Sequence, residues 1–292
     1  MPEVIYLNGA LVSLTEAVVP VDDRGFLFGD AIYEVVRSYN GRLWCFERHL
    51  RRLARSLEEI DMAYVDVAGI GDAIRQTYAA SRIPDALIYL QVTRGVAPRS
   101  HTYTRDLKPT VLIAVRDITP GVAAVDPNGM TAVTAPDLRW RRCDIKSTNL
   151  LPNVLAKTGA HEQGAYEAIL VHPDGYVTEG SSTSVFWVRA DGPLPAGRVC
   201  TIPLGPEVLP SISRGVVIEI VEDEGLPLVQ ERISLEQFRQ VDEIFLASTT
   251  PEVCPIITLD GQPVGTGAAG PITKRLQQAF RARVEAGDDA PR

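Results

Sequence analysis

The stretch DLRWRRCDIKSTNLLPNVLAK, residues 137–157, decides how the chain reads. An arginine-rich strand runs into Lys146. Asn149, as a cap, and Leu151-Pro152 then open a helix to about Gln163. Lys146 is flanked by Arg139, Arg141 and Arg142 and lies near that helix N-terminus. Positive surroundings favour the neutral, nucleophilic amine, which is what a Schiff-base lysine requires. The chain has only Lys108, Lys146, Lys157 and Lys274 as alternatives for lysine chemistry. On its own chemistry, Lys146 fits an exposed, ion-paired lysine better than a catalytic one.

Outward from this stretch, strands and helices mix without strict alternation, which predicts an α+β fold. Toward the N-terminus, VIYL, Asn8-Gly9 and ALVSL spell a hairpin. The Gly- and Asp-rich DDRGFLFGD at 22–30 reads as a connector. AIYEVVRSY at 31–39 turns back through Asn40-Gly41 into RLWCF. Leu50, Leu53, Leu57 and Ile60 recur at helical spacing, predicting a helix from about Glu47 to Asp61. A second helix is expected over 69–81, and strands over 87–95 and 110–116. DITPGVAAVDPNG at 117–129 lacks periodicity and marks a domain junction, giving domains 1–119 and 120–292. Beyond it, strands are expected at 130–135, 167–172, 184–189 and 241–249. Helices are expected from Ser211 or Ser213 to about Glu224 and from about Pro271 to Ala286. ADGPLPAGRV at 190–199 looks slightly long for its turn, and EAGDDAPR at the end reads as a frayed tail.

Among 292 residues, 45% are hydrophobic and 23% charged, the balance of a globular chain rather than a disordered or coiled-coil one. A net charge of −8 gives no basic footprint for nucleic acid or anionic membrane. Apolar runs such as VLIAV at 111–115 are far short of the ~20 residues of a membrane helix. MPEVIYLNGA lacks the basic start of a signal peptide. Cys45, Cys143, Cys200 and Cys254 stand far apart without a CxxC, which suits free thiols and a cytoplasmic protein. GTGAAG at 265–270 matches G-x-G-x-x-G but has no second strand after it, so it reads as a loop. His161-Glu162 lacks its second histidine, since position 165 is alanine. No metal site, P-loop or nucleophilic serine motif is expected.

Three further constellations accompany Lys146. TEGSSTSVFW at 178–187 sets Glu179 before small hydroxyl residues and a strand, where a carboxylate can pair with a protonated ring nitrogen. ASTTPE at 247–252 and LPSIS at 209–213 offer hydroxyls and a helix N-terminus suited to phosphate, with Arg52 able to add a clamp. Arg99 and His101, two apart on a Pro-containing loop, can face one carboxylate. Each alone also fits a cap, a turn acid or a solvated loop pair. Together they form the parts of a pyridoxal-phosphate enzyme acting on an amino acid.

At these residues the chain resembles the fold-type IV pyridoxal-phosphate aminotransferases, a branched-chain aminotransferase-like group, and among them the bacterial D-amino-acid transaminases. DRGFLFGDAIYEVVR at 23–37, QVTRGVAPRSH at 91–101, RCDIKSTNLLPNVLAK at 142–157, YEAILV at 166–171, TEGSSTSVF at 178–186 and ASTTPEVCP at 247–255 carry the resemblance, in order, over nearly the whole chain. It implies a small N-terminal α/β domain, a larger C-terminal pseudo-barrel carrying Lys146, and a homodimer with active sites at the subunit interface. It implies pyridoxal 5'-phosphate as cofactor, an internal aldimine on Lys146, and Glu179 at the ring nitrogen. Arg52, Ile212, Ser213, Ser248 and Thr249 are implied to bind phosphate. Tyr33, Arg99 and His101 are implied to hold the substrate carboxylate, the Arg/His loop coming from the neighbouring subunit.

The implied reaction is a ping-pong transamination between a D-amino acid such as D-alanine and a 2-oxo acid such as 2-oxoglutarate. A branched-chain L-aminotransferase, an (R)-amine transaminase and an aminodeoxychorismate-lyase type are the alternatives. Two departures from the pattern stand out. Ser211 replaces a glycine in VLPSIS, which can alter the approach to phosphate. Thr148 stands where the similar D-specific enzymes have leucine, which can trim the substrate pocket.

Overall fold

The computed structural model describes residues 4–190 and 197–287. The centre of the long turn read at 190–199, the first three residues and the tail beyond Gly287 lie outside the described residues. Contacts group the chain into two compact units. One holds residues 4–120 with Ile145–Asn149; the other holds Gly121–Asp144 with residues 150–190 and 197–287.

In the first unit, β1 (Val4–Leu7) and β2 (Ala10–Val12) form the expected hairpin, with Asn8 at φ 50° and Gly9 at φ 106°. The 22–30 connector contains a short helix, α1 (Arg24–Phe28). Asp23 caps it by accepting the Gly25 N–H at 2.8 Å. There follow β3 (Ala31–Tyr39), β4 (Arg42–Leu43), α2 (Phe46–Glu58), α3 (Val67–Ser81), β5 (Ala86–Thr93) and β6 (Thr110–Asp117). All pairings are antiparallel, in the order β2-β1-β6-β5-β3-β4. Alternate residues of β5 (Ala86, Ile88, Leu90 and Val92) are fully buried, so one sheet face makes the core. Leu53 and Leu57 of α2, Met62, and Ile74 of α3 close over it. Each such side chain contributes about 1.5–3 kcal/mol by burial.

Lys146, expected in the C-terminal domain, groups with this first unit. The reason is local. Ile145 joins the core cluster under β3, and Ser147 bridges Ile32. The Tyr33 N–H donates to the Lys146 carbonyl at 3.0 Å, and the Thr148 N–H to the Ala31 carbonyl at 3.1 Å.

Helix α4 (Thr119–Ala123) carries the chain into the second unit. There β7 (Met130–Pro136), α5 (Leu151–Glu162) and β8 (Glu167–Val171) form a crossover between parallel strands. Asn149 does not cap α5. Its side chain donates to the Gly29 carbonyl at 3.2 Å, and Leu150 takes the cap position without a side-chain bond.

The chain continues as β9 (Val177–Gly180), β10 (Ser184–Arg189), β11 (Arg198–Thr201), α6 (Ile212–Asp223), β12 (Leu228–Gln230), α7 (Leu235–Phe238), β13 (Glu243–Ser248), β14 (Glu252–Leu259), β15 (Gln262–Pro263) and α8 (Pro271–Ala286). The sheet order is β12-β11-β10-β13-β14-β7-β8-β9, with β15 on β14. β9 also packs on β10, which curls the sheet into an incomplete barrel. The mixture of parallel and antiparallel pairs is that of an α+β fold.

The glycine run at 265–270 has a packing role. The buried Glu243 carboxylate accepts the N–H groups of Ile272 and Thr273, capping α8 from β13. A Cβ on Gly270 would strike the Glu243 carboxyl group. Among the described residues, no helix is long and apolar enough to cross a membrane.

Candidate active site

The first unit gathers five of the expected residues. Lys146 Nζ lies 4.2 Å from the centroid of the Tyr33 ring and meets no carboxylate among the described residues. Lys157, by contrast, is engaged by Glu167 at 3.3 Å and by the Tyr166 carbonyl. The guanidiniums expected to surround Lys146 are committed to carboxylates of their own. Arg139 binds Asp137 and Glu179, and Arg142 binds Asp144 at 3.0 Å. Tyr33 stacks on Tyr89 at 6.0 Å, and the Tyr89 hydroxyl donates to Gln91 at 2.7 Å. Burial, with Tyr33 close by, pushes the Tyr89 phenol up to about 12.

Arg52 is buried on α2 with its plane fixed by Glu34 of β3, Nε and one terminal nitrogen each donating at 2.8 Å. His49 Nδ1 approaches the same carboxylate at 2.7 Å. Burial opposes ionisation of Glu34, but Arg52 and His49 hold its carboxyl well below the usual range. Burial also pushes His49 down, against Glu34 and with help from Arg52 and Lys146. A depressed carboxylate adds stability that starts to be lost as pH falls below its ordinary 4.5 and is gone below the depressed value. Glu34→Gln should therefore cost about 3–5 kcal/mol at neutral pH. Denaturant midpoints of the two proteins should converge as the pH is lowered from 4.5.

Arg99 and His101 are exposed on the loop between β5 and β6. Both meet one ring, Phe28 of α1: the Arg99 guanidinium at 5.4 Å and the His101 ring at 5.6 Å between centroids.

The second unit holds the other five. Glu179 lies near the end of β9, buried, and accepts from Arg139 and, at 3.3 Å, from the Leu209 N–H. Arg139 is held in turn by Asp137 at 2.7 Å and by the Glu207 carbonyl at 3.1 Å. Burial pushes the Glu179 carboxyl above its ordinary value, against the pull of Arg139. Burial works against the Arg139 charge too, but Asp137 and Glu179 drive that guanidinium further up, so it stays cationic.

Gly180 follows because a Cβ there would strike the Thr183 hydroxyl. The buried Glu167 gathers the hydroxyls of Ser181, Ser182 and Thr183 and fixes the turn behind Glu179. Ile212 and Ser213 open α6, where backbone N–H groups precede the helix's own ladder. Ser211 in place of glycine causes no strain. It lies at φ −67° and caps α6 through its Oγ, which accepts the Arg214 N–H. Ser248 closes β13, and Thr249 begins the turn into β14.

Pyridoxal 5'-phosphate needs an uncommitted amine, an acid for its ring nitrogen and a set of N–H and O–H donors for its phosphate. Lys146 is such an amine, and Glu179 is a buried carboxylate backed by a fixed guanidinium. The start of α6 with Ser213, and the β13 end with Ser248, supply donors. The residues present fit the group. Glu34, His49, Asp137, Glu167 and the role of Arg139 were not read from the sequence. Only Arg139 had a signal, its place beside Lys146.

Residues 31–259 match the class IV amino-transferase family. The chain is 39% identical to a D-alanine aminotransferase of Staphylococcus haemolyticus, covering 96% of this chain and 98% of that one. It is 40% identical to a D-alanine aminotransferase of Staphylococcus aureus (strain MSSA476), covering 97% and 98%. Among solved structures, the branched-chain aminotransferase of Thermoproteus uzoniensis with norvaline superposes with a TM-score of 0.83 at 28% identity, covering 98% of this chain and 96% of that one. The branched-chain amino acid aminotransferase of Escherichia coli gives 0.83 at 25% identity, covering 97% and 94%. Fold and relatives agree: this chain belongs to the class IV aminotransferases, a family dependent on pyridoxal 5'-phosphate.

Proposed function

We propose that this chain transfers the amino group of D-amino acids such as D-alanine to a 2-oxo acid such as 2-oxoglutarate or pyruvate. The observation that carries the D-preference is the pairing of Arg99 and His101 on the Phe28 ring, two donor side chains presented by one loop. The D-alanine aminotransferases at about 40% identity support it. When bound, pyridoxal 5'-phosphate supplies an electron sink for negative charge at the substrate α-carbon.

The chain's own residues do the rest. Lys146 would anchor the cofactor through Nζ and, once released, would take the substrate α-proton on that nitrogen, so that it does not go back to the α-carbon. Glu179 holds a proton on the ring nitrogen and is itself held by Arg139 and the Leu209 N–H. Arg52, the Ile212 and Ser213 N–H groups, the Ser213 hydroxyl, Ser248 and Thr249 bind the phosphate. Tyr33, Arg99 and His101 orient the carboxylate so that the α-hydrogen of the D-enantiomer faces Lys146.

The same reading makes the protein a cytoplasmic homodimer whose 99–101 loop serves the neighbouring subunit's site. Exposed Leu151, Val154 and Leu155, one apolar face of α5, support a subunit interface.

The test is the visible spectrum of the yellow holoenzyme with each amino donor and no acceptor. D-alanine should bleach it and L-leucine should not. Bleaching by L-leucine alone would move the chain to branched-chain specificity and end the reading of Arg99 and His101.

A further inference from the structure

The loop that carries Arg99 and His101 runs from β5 to β6, and its tip is exposed. A carboxylate trap needs fixed aim, because charge-assisted hydrogen bonds hold their strength only at short, well-aligned distances. Something must therefore hold the tip.

The structure provides a chain of anchors from the sheet to the tip. Asp23 is fully buried and accepts from the Thr93 hydroxyl at 3.0 Å and the Thr110 hydroxyl at 2.7 Å, which nails the start of α1 to the ends of β5 and β6. Arg24 comes next and is buried, 3% exposed. Its Nε donates to Asp30 at 2.8 Å, a carboxylate that also accepts Arg94 Nε at 2.8 Å. The far end of Arg24 donates to the carbonyls of Ser100 at 2.7 Å and Thr102 at 3.2 Å, the two that flank His101. Among the described residues, these are the bonds that tie the backbone of 99–102 to the rest of the unit. The Arg24 guanidinium also lies 4.9 Å from the Phe28 ring, the ring that Arg99 and His101 meet.

We propose that Arg24, seated on Asp30, together with the Phe28 ring, is the device that aims Arg99 and His101 and so sets affinity for a substrate α-carboxylate. Arg24 and Phe28 are positioning residues. The inference rests on the reading of Arg99 and His101 as carboxylate ligands. The clamp lies wholly within one protomer, whichever active site the loop serves.

The test uses full-length holoenzyme. Two quantities are read: the KM and kcat for D-alanine, and the dissociation constant of propionate, an unreactive carboxylate followed by cofactor absorbance. Arg24→Lys keeps the charge on Asp30 but not the two-carbonyl reach. It should raise both the KM and the propionate constant about tenfold, the loss of a charged hydrogen bond, with kcat within about twofold. Phe28→Leu keeps the buried ion pairs and should shift the same two constants in the same direction, so it decides the matter if Arg24→Lys does not fold. Arg99→Ala should weaken both constants further, and Arg24→Lys/Arg99→Ala should fall short of the product of the single effects. Unchanged constants in Arg24→Lys and Phe28→Leu beside a weakened Arg99→Ala would overturn the clamp and leave the carboxylate reading standing. A double variant equal to the product would also overturn it, because Arg24 would then not act through Arg99. An unaffected Arg99→Ala would remove the carboxylate reading and the clamp with it.

Discussion

Lys146→Ala should reduce D-alanine transamination by at least about 10⁴-fold, because one amine both anchors the cofactor and carries the α-proton. Lys157 cannot take over. It is spent on Glu167 and the Tyr166 carbonyl. The fold should survive the change. What Lys146 gives to the first unit is backbone: its carbonyl accepts the Tyr33 N–H, while Ile145 and Ser147 on either side make the packing and the bridge to β3. The side chain forms no ion pair among the described residues, only the contact with the Tyr33 ring. Its loss should move the melting temperature of the apoprotein by no more than about a degree or two, the scale of a surface substitution. A purified variant that is folded, lacks the wild-type spectrum and regains partial turnover with an added small amine would place the proton transfer on Nζ. Full turnover in the variant without added amine would end the proposed role.

The sequence made the chemistry more legible than the scaffolding. The blocks around Lys146, Glu179 and the 99–101 loop stood out as candidates because their residue types are rare in combination and their spacing is local. The hairpin at Asn8-Gly9 and the helices at α2 and α8 were legible for the same reason, since turn chemistry and helical period act over a few residues. What escaped depends on contacts distant in the chain. Glu34 and Arg52 are eighteen positions apart and meet only because β3 and α2 pack. Glu243 caps a helix that begins almost thirty residues later. Asp137, Arg139 and Glu179 meet because β7, β8 and β9 lie side by side in the second sheet. A local rule failed at Asn149, a good helix cap by type that bonds Gly29 instead. It failed again at 22–30, where Asp and Gly signalled a connector but Asp23 caps a short helix.

Glu179→Gln should lower kcat by about 10²–10³-fold, the usual loss on removing one oriented electrostatic partner from the reacting centre. Glutamine keeps the shape and can still accept the Leu209 N–H, but it cannot hold a cation at the ring nitrogen. The cofactor should stay bound, because the donors proposed for its phosphate lie elsewhere, on Arg52, the start of α6 and the β13 end. The pH dependence of the apoprotein separates this from structural damage. Burial raises the Glu179 pKa above its ordinary 4.5, so in the native state its charge is disfavoured relative to the unfolded chain. Such a group adds no penalty while both states are protonated. It costs stability as pH rises from 4.5 through the raised value. Apo Glu179→Gln escapes that cost, while Arg139 keeps Asp137 and the Glu207 carbonyl as partners. Its melting temperature should therefore equal that of the wild type below the carboxylate range and hold level or exceed it toward neutral pH. A variant slow in catalysis yet no less stable at neutral pH would assign Glu179 to the ring nitrogen. A variant destabilised at neutral pH would mean that its main work is to neutralise Arg139.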